Sequence, residues 1–173
     1  MLPVDQAELR RLLRCFRESN SQNLDCEAET WNAILQTFGG VAFECVIFRQ
    51  KPTSGVREVF LTQRPIDDAH YPAQWHVPGS YFRVKDGAFE NETCVIERLS
   101  LREIGGACIT KHRFCGRFVT SDSRGANRSE VFLCDVDSTE KLAACGMWHP
   151  IDRLHEINMI LHHHAIISCA AQI

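Results

Sequence analysis

Between Leu61 and Gly106 the chain sets out four features in a fixed order. A strand-like run comes first, then a loop opening with Arg64 and Pro65. The turn Trp75-His76-Val77-Pro78-Gly79 follows, and then a helix with spaced charges. The helix, over residues 92–104, is ended by Gly105-Gly106, because glycine accepts the left-handed backbone that closes helices. Strand formers lie on both sides of it. Residues 41–48 and 57–63 read as strands before it, and residues 107–118 and 130–136 after it, separated by a polar turn at 121–128. Residues 148–151 form a short pairing segment, and residues 153–171 read as a closing helix. Helices and strands in this order imply a mixed α/β (α+β) fold, a sheet with helices packed on its faces.

Upstream, residues 5–18 read as a helix capped by Asp5, with Leu9, Leu12, Leu13 and Phe16 at helical spacing. Arg10, Arg11, Arg14 and Arg17 fall on its other sides and read as a solvated face. A polar stretch at 19–25 and a second helix at 27–38, stopped by Gly39-Gly40, complete an N-terminal helical extension over 1–38. The remaining residues, 39–173, form one domain. The extension is a candidate surface for a homodimer or another partner. A net charge of −3 argues against general nucleic-acid binding. None of the nine cysteines forms a CxxC pair, and Cys45 and Cys134 sit in apolar runs, so buried reduced thiols are expected. No basic segment followed by an apolar stretch opens the chain, and no run approaches the ~20 apolar residues of a membrane span. A soluble, cytoplasmic protein with no membrane partner is the expectation.

The order of features resembles the Nudix family of diphosphate hydrolases. The box of that family ends in Arg-Glu-apolar-any-Glu-Glu-any-Gly. Anchoring on Glu103-Ile104-Gly105 makes Arg98 the box arginine, with Glu90 ahead of it and seven residues between them. Leu61-Thr62-Gln63-Arg64 and the Trp75–Gly79 turn look like the elements that precede the box, and Met147-Trp148 with Ile151-Asp152 like those that end the domain. The implied fold is a Nudix-type α/β/α sandwich of mixed sheet. Three departures stand out. Leu99 and Arg102 occupy positions where the box has glutamates, and the turn continues as Ser80 rather than a second glycine. This degenerate box, Arg98 to Gly105, is most similar to that of the GDP-mannose mannosyl hydrolases. The Gln-His pair those enzymes carry before the late Trp is missing before Trp148.

The resemblance assigns roles residue by residue. On a helix, positions 99, 102 and 103 share a patch, and three carboxylates there would hold Mg²⁺ against substrate phosphates. Only Glu103 remains, so a single Mg²⁺ is expected, on Glu103, a backbone carbonyl of the Gly79 turn and the substrate itself. Glu90 and Arg98 are the structural pair of the box, and Gly105 its closing turn. Arg64 and Arg102 are candidates to grip phosphate. Trp75 is a candidate for base stacking, with core packing as the plainer role. His76, His112 and His149 are possible general bases, and His149, beside Trp148, is placed first. His162, His163 and His164 point 100° apart on a helix and read as surface histidines. The implied activity is Mg²⁺-dependent hydrolysis of a nucleoside diphosphate linked to another group, such as a sugar. The rival is a Nudix-fold module that binds a nucleotide or a protein without cleaving it.

Overall fold

The computed structural model describes residues 11, 40–51, 53–85, 88–122 and 125–173, and for 84, 85, 88 and 89 the backbone only. The expected helical extension over 1–38, and with it the candidate partner surface, lies outside the described residues apart from Arg11. No helix among the described residues is long and apolar enough to cross a membrane.

The chain builds a mixed sheet in the order β5-β1-β9-β8 from β1 (Gly40–Val46), β5 (Gly79–Tyr81), β8 (Ile109–Asp122) and β9 (Gly125–Val136). The central pair β1 and β9 is parallel, and the outer pairs are antiparallel. A second sheet joins β10 (Met147–Pro150), β3 (Arg57–Gln63) and β2 (Phe48–Gln50), with β4 (Trp75–His76) also on β3. A short ribbon of β6 (Val84–Lys85) and β7 (Ala88–Phe89) precedes helix α1 (Glu92–Arg102). A one-turn helix, α2 (Thr139–Leu142), leads into β10, and α3 (Leu161–Ala171) closes the chain.

Two apolar clusters fill the space between layers. One joins α1 to the inner face of the mixed sheet through Val95, Leu99, Ile104, Phe43, Cys45, Phe132 and Cys134. Phe43 and Phe132 stack at 4.1 Å. The other joins α3, through Ile166, Ile167 and Ala170, to Val46, Val59, Leu61 and Val131. Cys45 and Cys134 are buried free thiols, as expected, whereas Cys94 and Cys108, against that expectation, are exposed. The α/β/α layering follows from these two clusters.

Three elements differ from the sequence reading. The β8–β9 hairpin runs through the segment read as a polar turn at 121–128, because alternate residues Asn127 and Ser129 are buried and keep the strand going. β8 is an edge strand among the described residues, and its register shifts between Ile109 and Lys111 and between Phe114 and Gly116. The closing segment is also not one helix. A 3-10 turn at Ile151–Glu156 comes first, and α3 begins only at Leu161. Between them, Trp75 N–H donates to the Asn158 carbonyl at 2.8 Å and Ile160 N–H to the Trp75 carbonyl at 3.0 Å, so the chain is extended there.

Helix α1 is set by local chemistry. The Asn91 side chain accepts from Cys94 N–H at 3.0 Å and caps the start. At its end Gly105 and Gly106 have φ of +62° and +78°, and a Cβ on Gly105 would lie 2.6 Å from the Lys141 carbonyl oxygen. Only glycine fits that approach. Arg98 projects from the helix and holds four oxygen atoms of three groups. Its Nη1 donates to Glu90 Oε2 at 2.9 Å and its Nη2 to Glu90 Oε1, while Nη2 also reaches the Tyr81 carbonyl at 2.7 Å and Nε reaches Ser80 Oγ at 3.2 Å. Glu90 further accepts from Arg83 N–H at 3.0 Å. Burial pushes the Glu90 carboxyl up, but the Arg98 and Arg83 hydrogen bonds and charges outweigh it, and the net shift is below the ordinary 4.5.

Two predictions follow from α1. A depressed carboxyl stabilises the fold above its unfolded pKa, and that share is lost as pH falls through the folded value. Wild-type protein is therefore expected to lose more stability than Glu90→Gln between about pH 5 and pH 3, measured by urea unfolding at each pH. Leu99 is fully buried in the α1 cluster. Leu99→Ala is expected to cost about 2–5 kcal/mol. Leu99→Glu, which restores the usual box carboxylate, is expected to cost more, because the charge enters apolar packing. A Leu99→Glu variant as stable as wild type would show that this side of α1 accepts a charge.

Candidate functional site

The mixed sheet has a second face, opposite the α1 cluster, and it floors a cavity of about 490 Å³. That size suits a small-molecule ligand. Alternation along β1 sends Phe43 and Cys45 into the core and Ala42 and Glu44 to the cavity. Register does the rest. Ala42 lies opposite Ser129 on β9 and Tyr81 on β5, and Glu44 lies opposite Gly79. Ala42, Glu44, Gly79, Tyr81, Asn127 and Ser129 therefore share one patch. The loop after β3, His76, and Ile160, His162 and His163 at the start of α3 form the walls.

The floor is polar and ordered. Glu44 is only 7% exposed and accepts from Ser129 Oγ at 3.0 Å. A Cβ built on Gly79 would lie 2.6 Å from Glu44 Oε2, so the absence of a side chain at 79 makes room for the carboxylate. Tyr81 Oη donates to Asn127 Oδ1 at 2.9 Å. His76 Nδ1 lies 2.8 Å from the Val77 carbonyl, and its Nε2 lies 3.2 Å from Thr62 Oγ1. A carbonyl only accepts, so Nδ1 carries the proton and, in the neutral ring, Nε2 accepts from the Thr62 hydroxyl. Val77 N–H donates to His163 Nδ1 at 3.2 Å, which leaves the proton of a neutral His163 on Nε2. His163 is 4% exposed, a correction to the reading of 162–164 as surface histidines. Because α3 starts at Leu161, its first turn brings His163 inward to the cavity while Leu161 is exposed.

The loop is shaped by Asp68, whose Oδ1 accepts from His70 N–H at 2.9 Å and Tyr71 N–H at 2.8 Å. Burial raises the Asp68 carboxyl, but these two bonds and the Arg64 and His70 charges bring it below the ordinary 3.8. Tyr71 Oη donates to Asp122 and ties the loop to the β8–β9 hairpin. Arg64 lines the cavity with Nη1 3.9 Å from Asp68 Oδ2, and its buried Nε has no hydrogen-bond partner among the described residues. Such a donor is costly unless something accepts from it.

Of the residues singled out in the sequence, Arg64, Gly79 and His76 line the cavity. Glu90 and Arg98 hold β5 beside it, and Gly105 closes α1 against Lys141. Glu103, Arg102, His149 and Trp75 lie outside the described lining. Glu103 caps the C-terminus of α1 and is partly buried. Burial raises its carboxyl above the ordinary 4.5, against the lowering charges of Arg64 and Arg102. Burial and the Glu103 charge together push up the Cys145 thiol. Arg102 is exposed. His149, on β10, meets the Trp75 ring edge-on at 4.7 Å. Burial lowers its pKa against the raising charge of Glu58, and its buried Nε2 has no partner among the described residues.

Magnesium takes oxygen ligands in near-octahedral geometry. Among the described residues no three His, Cys, Asp or Glu side chains gather as a metal-binding group. The positive charges of Arg64 and Arg102 act on Glu103, and positive charge there opposes a divalent ion. Glu44, Asn127, Ser129 and His163 are among the cavity residues that sequence reasoning missed. The signal for three of them was period-two spacing, Ala42 with Glu44 and Asn127 with Ser129.

No family model matches the chain, and no curated protein matches it in sequence. Solved structures do match in shape. The NUDIX domain of Shewanella oneidensis NrtR, complexed with ADP ribose, is 14% identical with a TM-score of 0.57, over 98% of each chain. A mutT/nudix family protein from Listeria innocua is 18% identical with a TM-score of 0.57, over 77% of this chain and 92% of that one. Shewanella oneidensis NrtR complexed with a 27mer DNA is 16% identical with a TM-score of 0.60, over 76% of this chain. The chain spans 60% of the length of that NrtR chain. Identities this low speak for architecture alone, and the architecture of this chain is the Nudix fold.

Proposed function

We propose that the chain is a Nudix-fold module that binds a nucleoside diphosphate linked to another group, nucleotide sugars included, and does not cleave it. The observation that carries this reading is the place of Leu99. The position where the box would supply a carboxylate is fully buried in the α1 cluster, and the remaining Glu103 is under the positive charges of Arg64 and Arg102. Hydrolysis with one Mg²⁺ on Glu103 and the Gly79 carbonyl, and His149 as base, lacks that support, since Glu103 and His149 lie outside the described lining.

Binding has direct support. Arg64 brings to the cavity wall a guanidinium whose buried Nε has no partner among the described residues, and guanidinium matches diphosphate oxygens in charge and geometry. Tyr71 and Tyr81 line the same space. A similarly folded NrtR domain is complexed with ADP ribose. The net charge of −3 gives no comparable support to nucleic acid as a ligand.

Calorimetric titration with ADP-ribose, GDP-mannose and UDP-glucose, with and without Mg²⁺ and with chromatography of the products, tests this reading. Binding of at least one ligand without turnover is expected, weakened about ten-fold or more by Arg64→Ala. Glu103→Gln should bind as wild type does. Mg²⁺-dependent turnover lost in Glu103→Gln would instead establish a hydrolase, and no binding of any ligand would remove the nucleotide reading. Stability gives a separate check. A carboxyl raised in the folded state costs the fold stability at pH above its folded value, and the cost vanishes below its unfolded value. Glu103→Gln is therefore expected to raise the urea midpoint at pH 7 and to leave it unchanged below about pH 4.

A further inference from the structure

We infer that Glu44 reads the group beyond the diphosphate, as the acceptor for hydroxyl protons of a neutral sugar, and so selects nucleotide sugars over plain nucleoside diphosphates. This rests on the reading of the cavity as a nucleoside-diphosphate site and adds which part of the ligand meets which wall.

A carboxylate on the floor of a ligand cavity is an unusual thing to bury, and several residues are arranged around it. Glu44 is 7% exposed, takes a hydrogen bond from Ser129 Oγ, and occupies space that any side chain at Gly79 would fill. Ala42, two residues before it on β1, lines the same floor and adds only a methyl group to it. An ionised carboxylate only accepts hydrogen bonds, and its two oxygens offer about four lone-pair directions. It repels phosphate and favours clustered O–H donors. Arg64, on the loop wall, has the opposite preference. The cavity is therefore polarised. A ligand that satisfies both walls carries an anionic diphosphate and a neutral group rich in hydroxyls, and a sugar linked through a diphosphate has that chemistry.

The test compares each nucleotide sugar with its parent nucleoside diphosphate: ADP-ribose with ADP, GDP-mannose with GDP, and UDP-glucose with UDP. Wild-type protein should bind the sugar form of at least one pair about ten-fold more tightly than the parent. Glu44→Gln should erase that preference, because the amide replaces one acceptor by a donor. Glu44→Asp, which keeps the charge but draws it back, should also lose the preference. If the Glu44 variants do not fold, the wild-type comparison decides alone, and equal affinity within every pair overturns the inference. A preference that survives in Glu44→Gln overturns it too, while the nucleotide reading stands. Failure of wild type to bind any of the six compounds overturns both.

Discussion

Arg98 is the residue on which the site depends. It is planted in α1, yet all its bonds go to other elements: the Glu90 carboxylate ahead of the helix, and Ser80 and Tyr81 on β5. With side-chain exposures of 14% and 10%, the Arg98–Glu90 pair is shielded enough that losing one partner would strand the other, at a cost of about 3–5 kcal/mol. β5 is a three-residue strand with little apolar surface, and it holds one side of the cavity floor. The box arginine and glutamate thus act on the fold, and through the fold on Gly79 and Tyr81.

β1 does the complementary work in the centre of the sheet. Within seven residues it gives Phe43 and Cys45 to the apolar cluster under α1 and Ala42 and Glu44 to the cavity. Because it lies between β5 and β9, each residue it sends to the cavity side has a neighbour on both flanks. One strand so sets the geometry of both the core and the site, and a shift of one residue in its register would exchange them.

What could be read in the sequence was what depends on near neighbours. The cap, the spacing from Glu90 to Arg98 and the paired glycines are all local, and the layered fold followed from the order of helix and strands. Period-two spacing hinted at single residues of the cavity floor but not at their meeting, because Glu44 and Ser129 come together only through the parallel pairing of β1 with β9, 85 residues apart. Glu44 also sits in an apolar run that reads as plain core. His163 was hidden for a related reason. Its face depends on where α3 starts, and that is set by the bridge from Trp75 to Met159. Leu99 shows the converse: the sequence revealed a missing carboxylate, and packing revealed that a core residue had taken its place.

β8 is 14 residues long and lies at the edge of its sheet among the described residues. A straight edge of that length would be a template for a strand from another molecule. The two shifts of register break its row of N–H and C=O groups into pieces that no flat strand matches, and Lys111 and Arg113 between them are exposed and positive. Two copies meeting edge to edge would find misaligned backbone and like charge. The hydrogen bonding that builds the sheet is in this way kept from continuing into an aggregate.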